Sequence, residues 1–337
     1  MAFGRPKTII AILLIVILVI INPYAHKAGP QRLFFAFDDV LMRNAPVLYE
    51  GLVMPYRRKI YDIMKRGTID SKIRSIVAGG AYLFTNVEVE TVNWCNGDCS
   101  FCPASVTQER RPRQVMEEGL FRSLVDQLKD LDYSGGLALY SNNEPLLDPR
   151  ACDFADYARE RLPNAFIYMM TNGTLLTEGT LARLMGSLDK LIVDNYSDGL
   201  ELLPPVRNAV RLCLQNEAWR RKTVVILRRK NEFRTNRAGQ AENRRSLVHL
   251  SSSCLYPFSQ VVVRPDGKLS LCCNDVYGVT TMGDLKKEGL LEAWRGERYR
   301  IARSRIAMGR VNYSPCRICD NLTTDYIDRF ARSLDCP

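Results

Sequence analysis

Val87-Glu88-Val89-Glu90-Thr91-Val92-Asn93-Trp94-Cys95-Asn96-Gly97-Asp98-Cys99-Ser100-Phe101-Cys102 reads as an apolar strand running directly into three closely spaced cysteines. The spacing is Cys-x3-Cys-x2-Cys. Three thiolates in one short loop can hold three irons of a four-iron cubane and leave the fourth iron open to a small molecule. Zinc normally takes a fourth ligand or a water, and the chain has only two histidines to supply one. Gly97 lets the loop turn tightly.

Outward from this loop, short β-rich runs alternate with helical stretches. Val87–Val92, Leu137–Tyr140, Phe166–Met170, Lys190–Val193 and Val224–Leu227 read as strands, and Gly119–Leu131 and Arg150–Arg161 as helices between them. Such alternation predicts βαβ units and an α/β fold on a parallel sheet. In these folds the chemistry sits at the C-terminal ends of the strands. The character changes after Ser251. Gln260–Val263, an Asp266-Gly267 turn and Lys268–Leu271 predict a β-hairpin, followed by an amphipathic helix around Leu290–Met308.

Cys-x3-Cys-x-aromatic-Cys after a first strand resembles the signature of the radical S-adenosylmethionine (SAM) superfamily. The resemblance extends along the chain. Tyr140-Ser141-Asn142-Asn143-Glu144-Pro145-Leu146-Leu147 is similar to the family's Gly-Gly-Glu turn, whose Glu holds the SAM amino group, with Asn142 and Asn143 in place of the glycines. Asn tolerates left-handed backbone angles, so the turn can survive. Met170-Thr171-Asn172-Gly173 looks like the Thr-Asn-Gly turn, and Val193-Asp194-Asn195-Tyr196-Ser197-Asp198-Gly199 like the Ser-Asp-Gly ending of the fourth strand. The resemblance implies a partial (β/α)6 TIM-type barrel. It also implies a [4Fe-4S] cluster on Cys95, Cys99 and Cys102, and SAM contacts from Phe101, Glu144, Asn172, Asn195 and Ser197. Arg228, Arg237 and Gly239, after the fifth strand, are weaker candidates for the SAM carboxylate. Taken singly, Asn172 and Ser197 read equally well as cap or turn residues.

A second group, Cys254, Cys272, Cys273, Cys316 and Cys319, surrounds the hairpin and the Cys-x2-Cys pair. By spacing alone a zinc ribbon and a cluster site stand level. The surrounding residues, among them Asp266-Gly267, Cys272-Cys273-Asn274-Asp275, Gly283-Asp284-Leu285 and Ala293-Trp294, resemble the SPASM or shorter twitch extension of radical SAM enzymes. After Cys319 only Cys336 remains, so the resemblance favours the twitch-like form. It implies one auxiliary [4Fe-4S] cluster on Cys254, Cys272, Cys316 and Cys319. Cys273 occupies a position that holds Asp in some oxidising relatives. As a thiol beside a substrate radical it is a catalytic candidate that can donate a hydrogen atom, and it reads equally as a buried apolar residue or the true ligand. Cys152 and Cys213 fall in helical stretches and read as core.

The resemblance implies cleavage of SAM to a 5′-deoxyadenosyl radical that abstracts hydrogen from a carbon of a sugar-like or peptide substrate, ending in oxidation or epimerisation. A reductant such as flavodoxin or ferredoxin is then a partner. A peptide-modifying maturase and a non-catalytic electron carrier are the alternatives, and an electron carrier has no need of Glu144 and the Thr-Asn-Gly turn. Arg220–Arg245 contains ten Lys or Arg against Glu232 and Glu242. Some of these can face an anionic substrate, although a solvated surface explains any one of them. No separate RNA-binding module is visible.

The chain has 337 residues, enough for one large and one small domain, and a net charge of +10 that favours anionic partners. Eleven cysteines, an odd number in tight groups, point to metal rather than to a disulfide framework. Ile9–Ile21 is an unbroken apolar run flanked by Arg5 and Lys7 and ended by Asn22-Pro23. As a helix it is about 20 Å long against a bilayer core of about 30 Å. With no clean cleavage site after it, the run predicts an uncleaved N-terminal membrane anchor. Cluster chemistry requires reducing conditions, so the catalytic part is expected to face the cytoplasm. The expected organisation is an anchor (1–23), a helical lead-in (24–83), a barrel (84–250) and an auxiliary-cluster domain (251–337). Within the lead-in, Tyr56–Tyr61 interleaves aromatic and basic residues, as either a membrane-facing helix or a cap on the barrel.

Overall fold

A computed structural model describes residues 54–78, 83–231, 234–241 and 249–322. The anticipated anchor, the lead-in before residue 54 and Cys336 lie outside the described residues. Among the described residues, no helix is long and apolar enough to cross a membrane.

In chain order the elements are α1 (Met54–Ala78), β1 (Asn86–Val89), α2 (Glu118–Asp130), β2 (Gly136–Ala138), α3 (Ala151–Arg161), β3 (Phe166–Thr171) and α4 (Glu178–Ser187). There follow β4 (Lys190–Tyr196), α5 (Pro204–Gln215), α6 (Glu217–Lys222) and β5 (Thr223–Arg228). The C-terminal part supplies α7 (Tyr256–Ser259), β6 (Gln260–Val263), β7 (Lys268–Ser270), β8 (Gly283–Asp284), α8 (Leu290–Arg295) and α9 (Glu297–Ala307). The strands form one sheet in the order β5-β4-β3-β2-β1-β6-β7-β8.

The expected partial (β/α)6 barrel is therefore corrected. Five strands, β1 to β5, come from the βα repeat. The sixth parallel strand is β6, the first strand of the C-terminal hairpin, which pairs with β1 in register Glu88↔Val262. The hairpin is thus part of the main sheet. Gly267 at φ 84° closes its turn, and the Asp266 carboxylate accepts from the Lys268 N–H at 3.1 Å. The single helix expected over Leu290–Met308 is two, because Gly296 adopts an extended conformation (ψ 164°) between α8 and α9.

Side chains alternate between the two faces of a strand. On the outer face Val87, Val89, Leu137, Ile167, Met169, Leu191 and Val193 join the main core under the helices. The α2 residues Phe121, Leu124, Val125 and Leu128 recur at helical spacing to cover it. Cys213 is buried in the same core and Cys152 packs against it, as expected. On the inner face a small cluster of Ala138, Tyr140, Tyr168, Ile192 and Val224 is accompanied by polar groups. Asn86 there accepts from the Tyr168 hydroxyl at 2.8 Å.

Helix α1 caps the barrel, with Ile69 and Ile73 in the main core. Arg58 pairs with Asp320, and buried Asp62 accepts from the N–H groups of Ser251 (2.8 Å) and Ser252 (3.1 Å) and from Ser251 Oγ (2.9 Å). Burial alone would raise the Asp62 pKa; these donors overturn that and hold it below the ordinary carboxylate range. Asp62→Ala is expected to lower unfolding stability by about 2–3 kcal/mol, since it strands buried donors of a charged acceptor. A depressed carboxylate pKa stabilises above the unfolded value and loses that contribution as pH falls, so the gap should close below roughly pH 4. Urea titrations of both proteins at pH 7 and at acid pH read this directly.

Candidate functional site

At the C-terminal ends of the strands lies a cavity of about 640 Å³. Its wall includes Cys95, Cys99 and Cys102 from the loop after β1, with Phe101 between them. Gly97 leaves the space among the thiols open: a Cβ there would stand 3.4 Å from Cys95 Sγ and 4.0 Å from Cys99 Sγ. The loop is held from outside. Lys230 pairs with Asp98 at 3.0 Å, and the Ser100 N–H donates to the Lys230 carbonyl at 3.0 Å. Burial pushes the Cys95 thiol up to about 12, and Cys99 likewise above its ordinary value. Metal binding must therefore displace protons from these groups.

The Thr-Asn-Gly turn at the end of β3 reaches the same loop. Asn172 Nδ2 donates to Asn96 Oδ1 at 2.7 Å and approaches Cys95 Sγ at 3.8 Å. Gly173 sits at φ 75°, with no room for a Cβ beside Val193 and Val206. Glu144, after β2, accepts from Thr171 Oγ1 (2.6 Å), the Asn172 N–H (2.7 Å) and the Leu146 N–H (3.1 Å). Burial outweighs these donors and pushes its pKa up to about 7. Asn142 and Asn143, which replace two family glycines, are both absent from the positive-φ residues, so the turn needs no left-handed angle there.

Two expected SAM contacts stand elsewhere. Asn195 has the parity of Val193 and faces the helices; its amide donates to the Glu201 carbonyl (2.8 Å) and accepts from the Leu203 N–H (2.8 Å), pinning the loop before α5. Ser197 is outside the cavity lining, its N–H bonded to the Arg228 carbonyl at 2.8 Å. Their neighbours Asp194 and Tyr196 point inward instead. Asp194 accepts from Arg228 Nε at 2.8 Å and from the Tyr196 hydroxyl at 3.1 Å. Arg234 lies over the Phe101 ring at 5.5 Å, and Arg237 Nη1 donates to the Cys273 carbonyl at 3.2 Å. Glu88, Asp194 and Tyr196 were not singled out from the sequence, although strand parity, applied from the apolar Val87 and Val89, assigns Glu88 to the inner face.

Cys254, Cys272, Cys316 and Cys319 line a second, small void of about 20 Å³. Among the described residues no three His, Cys, Asp or Glu side chains converge closely enough to share one metal ion. Burial raises the Cys272 pKa, and the neighbouring thiols, Cys254, Cys316 and Cys319 among them, raise it further. Four thiolates can hold a [4Fe-4S] cluster, one to each iron. Buried Arg310 stands against the thiols and donates to the carbonyls of Ser252 (3.0 Å), Ser253 (3.1 Å) and Asn321 (2.7 Å). Burial works to lower its pKa, and Cys254, Cys319 and Cys316 overturn this and raise it. Cys273, one residue on from Cys272, faces the large cavity.

Family comparisons agree with this geometry. The model of the radical SAM superfamily matches residues 89–229, and that of an iron–sulfur cluster-binding domain, SPASM, matches residues 254–320. The chain carries a radical SAM domain followed by a SPASM domain. It is 26% identical over 250 residues to the S-adenosyl-L-methionine-dependent 2-deoxy-scyllo-inosamine dehydrogenase of Niallia circulans, covering 74% of this chain and 97% of that one. The crystal structure of BtrN in complex with AdoMet and 2-DOIA superposes with a TM-score of 0.60 at 26% identity, over 72% of this chain and 94% of that one. BtrN in an open conformation gives 0.54 at 25% identity, over 71% and 94%. The radical SAM domain implies a [4Fe-4S] cluster and SAM, and the SPASM domain implies auxiliary cluster binding.

A neutral residue at 310 would leave a dianionic four-thiolate cubane without its buried counter-charge. Arg310→Met is expected to lose about four irons per chain on anaerobic reconstitution. The SAM-responsive EPR signal of the first cluster should persist.

Proposed function

We propose that this radical SAM enzyme removes hydrogen from a carbinol carbon of a cyclitol- or sugar-like small molecule and oxidises it to the ketone. One observation carries the reading. The three-thiol loop with its SAM-type turns and the residue following an auxiliary thiol line the same cavity. Cluster and SAM, when bound, supply the hydrogen-abstracting 5′-deoxyadenosyl radical. The chain's own residues orient the substrate and exclude water. Ser141, Asn142, Asp194, Arg234 and Arg237 provide convergent polar groups that suit a hydroxylated ring better than an apolar one. The dehydrogenase activity named for the Niallia circulans relative supports the same reaction type. The apolar run Ile9–Ile21 supports a membrane tether with the clusters on the reducing, cytoplasmic side, where a flavodoxin- or ferredoxin-type protein is the proposed reductant.

Cys273 supports a second reading. Burial keeps its thiol well above its ordinary pKa and so protonated, as a hydrogen-atom donor must be. Return of hydrogen from sulfur to the substrate carbon would invert the centre without net oxidation. Anaerobically reconstituted full-length protein, with SAM, reductant and 2-deoxy-scyllo-inosamine in heavy water, separates the two. Oxidation yields a ketone two mass units lighter than the substrate, formed with 5′-deoxyadenosine. Deuterium on the returned carbinol carbon, lost in Cys273→Ala, would replace oxidation by epimerisation. No substrate-dependent 5′-deoxyadenosine would refute the cyclitol reading.

Glu144 is proposed to receive the SAM ammonium. Its carboxyl, with a pKa raised to about 7, must then give up a proton to pair with the ligand at lower pH. The Kd for SAM is expected to rise by up to about tenfold per pH unit below about 7, and Glu144→Gln should bind weakly with a flat profile. Calorimetric titration of the reconstituted protein between pH 5.5 and 8, roughly the span over which such a group changes charge, measures both.

A further inference from the structure

We infer that Glu88 is the proton acceptor of the oxidation, set beside the exit route of the electron. The inference rests on the dehydrogenation reading. Glu88 is 1% exposed and lines the large cavity from the inner face of β1. Ser141 Oγ donates to its Oε2 at 2.8 Å, and Gln260 Nε2 donates to its Oε1 at 2.6 Å. The same Gln260 amide accepts the Cys273 N–H at 3.3 Å through its Oε1. One side chain on β6 therefore couples the carboxylate to the backbone of Cys273. The preceding residue, Cys272, faces the void of the four auxiliary thiols.

The other two carboxylates of the cavity are committed elsewhere. Glu144 is held by Thr171, Asn172 and Leu146 on the side of the first cysteine loop. Asp194 is tied to Arg228 on β5, the far edge of the sheet. Among the carboxylates lining this cavity, Glu88 is the one joined to the auxiliary side.

The chemistry requires such a group. Abstraction of the carbinol hydrogen leaves a carbon radical that still carries its O–H. Ketone formation breaks that O–H bond, forms the second C–O bond and releases one proton and one electron. The proton passes to the Glu88 carboxylate. The electron would be taken up by an oxidised iron–sulfur cluster held by Cys254, Cys272, Cys316 and Cys319, which would be reduced by one electron and which Cys272 and Cys273 would separate from the large cavity. A hydroxyl donating to Glu88 orients the carbinol carbon and makes its radical easier to oxidise, since deprotonation raises the electron density at carbon. Ser141 and Gln260 position the carboxylate.

The test compares wild type with Glu88→Gln and Glu88→Asp in the full reconstituted chain, using 2-deoxy-scyllo-inosamine deuterated at its carbinol carbons as the probe. Cluster EPR and the unfolding midpoint confirm that each variant is folded and loaded. In Glu88→Gln, deuterium should still reach 5′-deoxyadenosine, while ketone formed per 5′-deoxyadenosine falls by about 10²-fold. Freeze-quenched EPR should then show a carbon-centred radical that wild type does not accumulate, and Glu88→Asp should restore part of the ketone yield. An unchanged ratio of ketone to 5′-deoxyadenosine in Glu88→Gln would overturn the role. So would joint loss of both products with weakened calorimetric binding of the probe, which would make Glu88 a binding residue. If wild type itself forms no probe-dependent 5′-deoxyadenosine, the dehydrogenation reading falls first and takes this role with it.

Discussion

The parallel pairing of β6 with β1 is the constraint on which the site depends. Without it the C-terminal hairpin would be a separate lobe, and its cysteines would bear no fixed relation to the first loop. With it, β1 lies between β2 and β6 at the middle of an eight-stranded sheet. The three-cysteine loop leaves the end of β1, and the Cys272-Cys273 pair follows β7 on the adjoining hairpin. Register transmits this precision to side chains: Asn86 stands opposite Gln260 and Glu88 opposite Val262. A one-residue slip would turn Glu88 into the core and Val87 into the cavity. The apolar burial of Val87 and Val89 therefore holds the buried carboxylate on the inner face.

That inner face is expensive in stability terms. It carries Asn86, Glu88, Asp194 and Gln260, all nearly inaccessible to water. A buried polar group without partners costs several kcal/mol, and the structure answers by pairing such groups with one another across strands. Tyr168 bonds Asn86, Gln260 bonds Glu88 and Arg228 bonds Asp194. The same holds just beyond the sheet. Burial pushes Glu90 up to about 7 against the pull of Arg111. Arg111 also donates to the Asn93 and Asn142 carbonyls, tying the cysteine loop to the Glu144 turn. The main core under the helices offsets these costs.

Much of this was legible in the sequence because the signals are local. Cys-x3-Cys-x2-Cys, the Thr171-Asn172-Gly173 turn and the Asp266-Gly267 hairpin are each contained in a few residues, and all three appear where the pattern places them. The strand runs were located to within two or three residues at either end. What escaped was non-local or depended on parity. Nothing within Gln260–Val263 announces that it will pair with β1, because a hairpin strand and a barrel strand have the same apolar pattern. Asn195 looked like a ligand because it lies in a family-like turn. Alternation from Ile192 and Val193 gives the inner face to Asp194 and Tyr196 instead. The break at Gly296 was visible as a residue type, yet glycine inside a helical pattern is also often tolerated.

The turn at Arg237-Ala238-Gly239 shows how tightly the two cysteine sites are joined. All three residues have positive φ (49°, 52° and 83°), and for Arg and Ala this costs on the order of 1–2 kcal/mol each. Such a turn persists only where its surroundings dictate it. On one side Asn236 donates to the Ile318 carbonyl (2.6 Å) and to Asp320 (2.7 Å), within and just after the Cys316-x2-Cys319 loop. Gly239 packs so closely on Ile318 that a Cβ would stand 2.4 Å away. On the other side Arg237 reaches the Cys273 carbonyl and lines the large cavity, while Ala238 lines the small one. The strained turn is thus held by the auxiliary loop and presents Arg237 to the large cavity. Through Asn236 and Gly239 on one side and Arg237 on the other, the loop that carries Cys316 and Cys319 therefore helps to shape the wall of the large cavity.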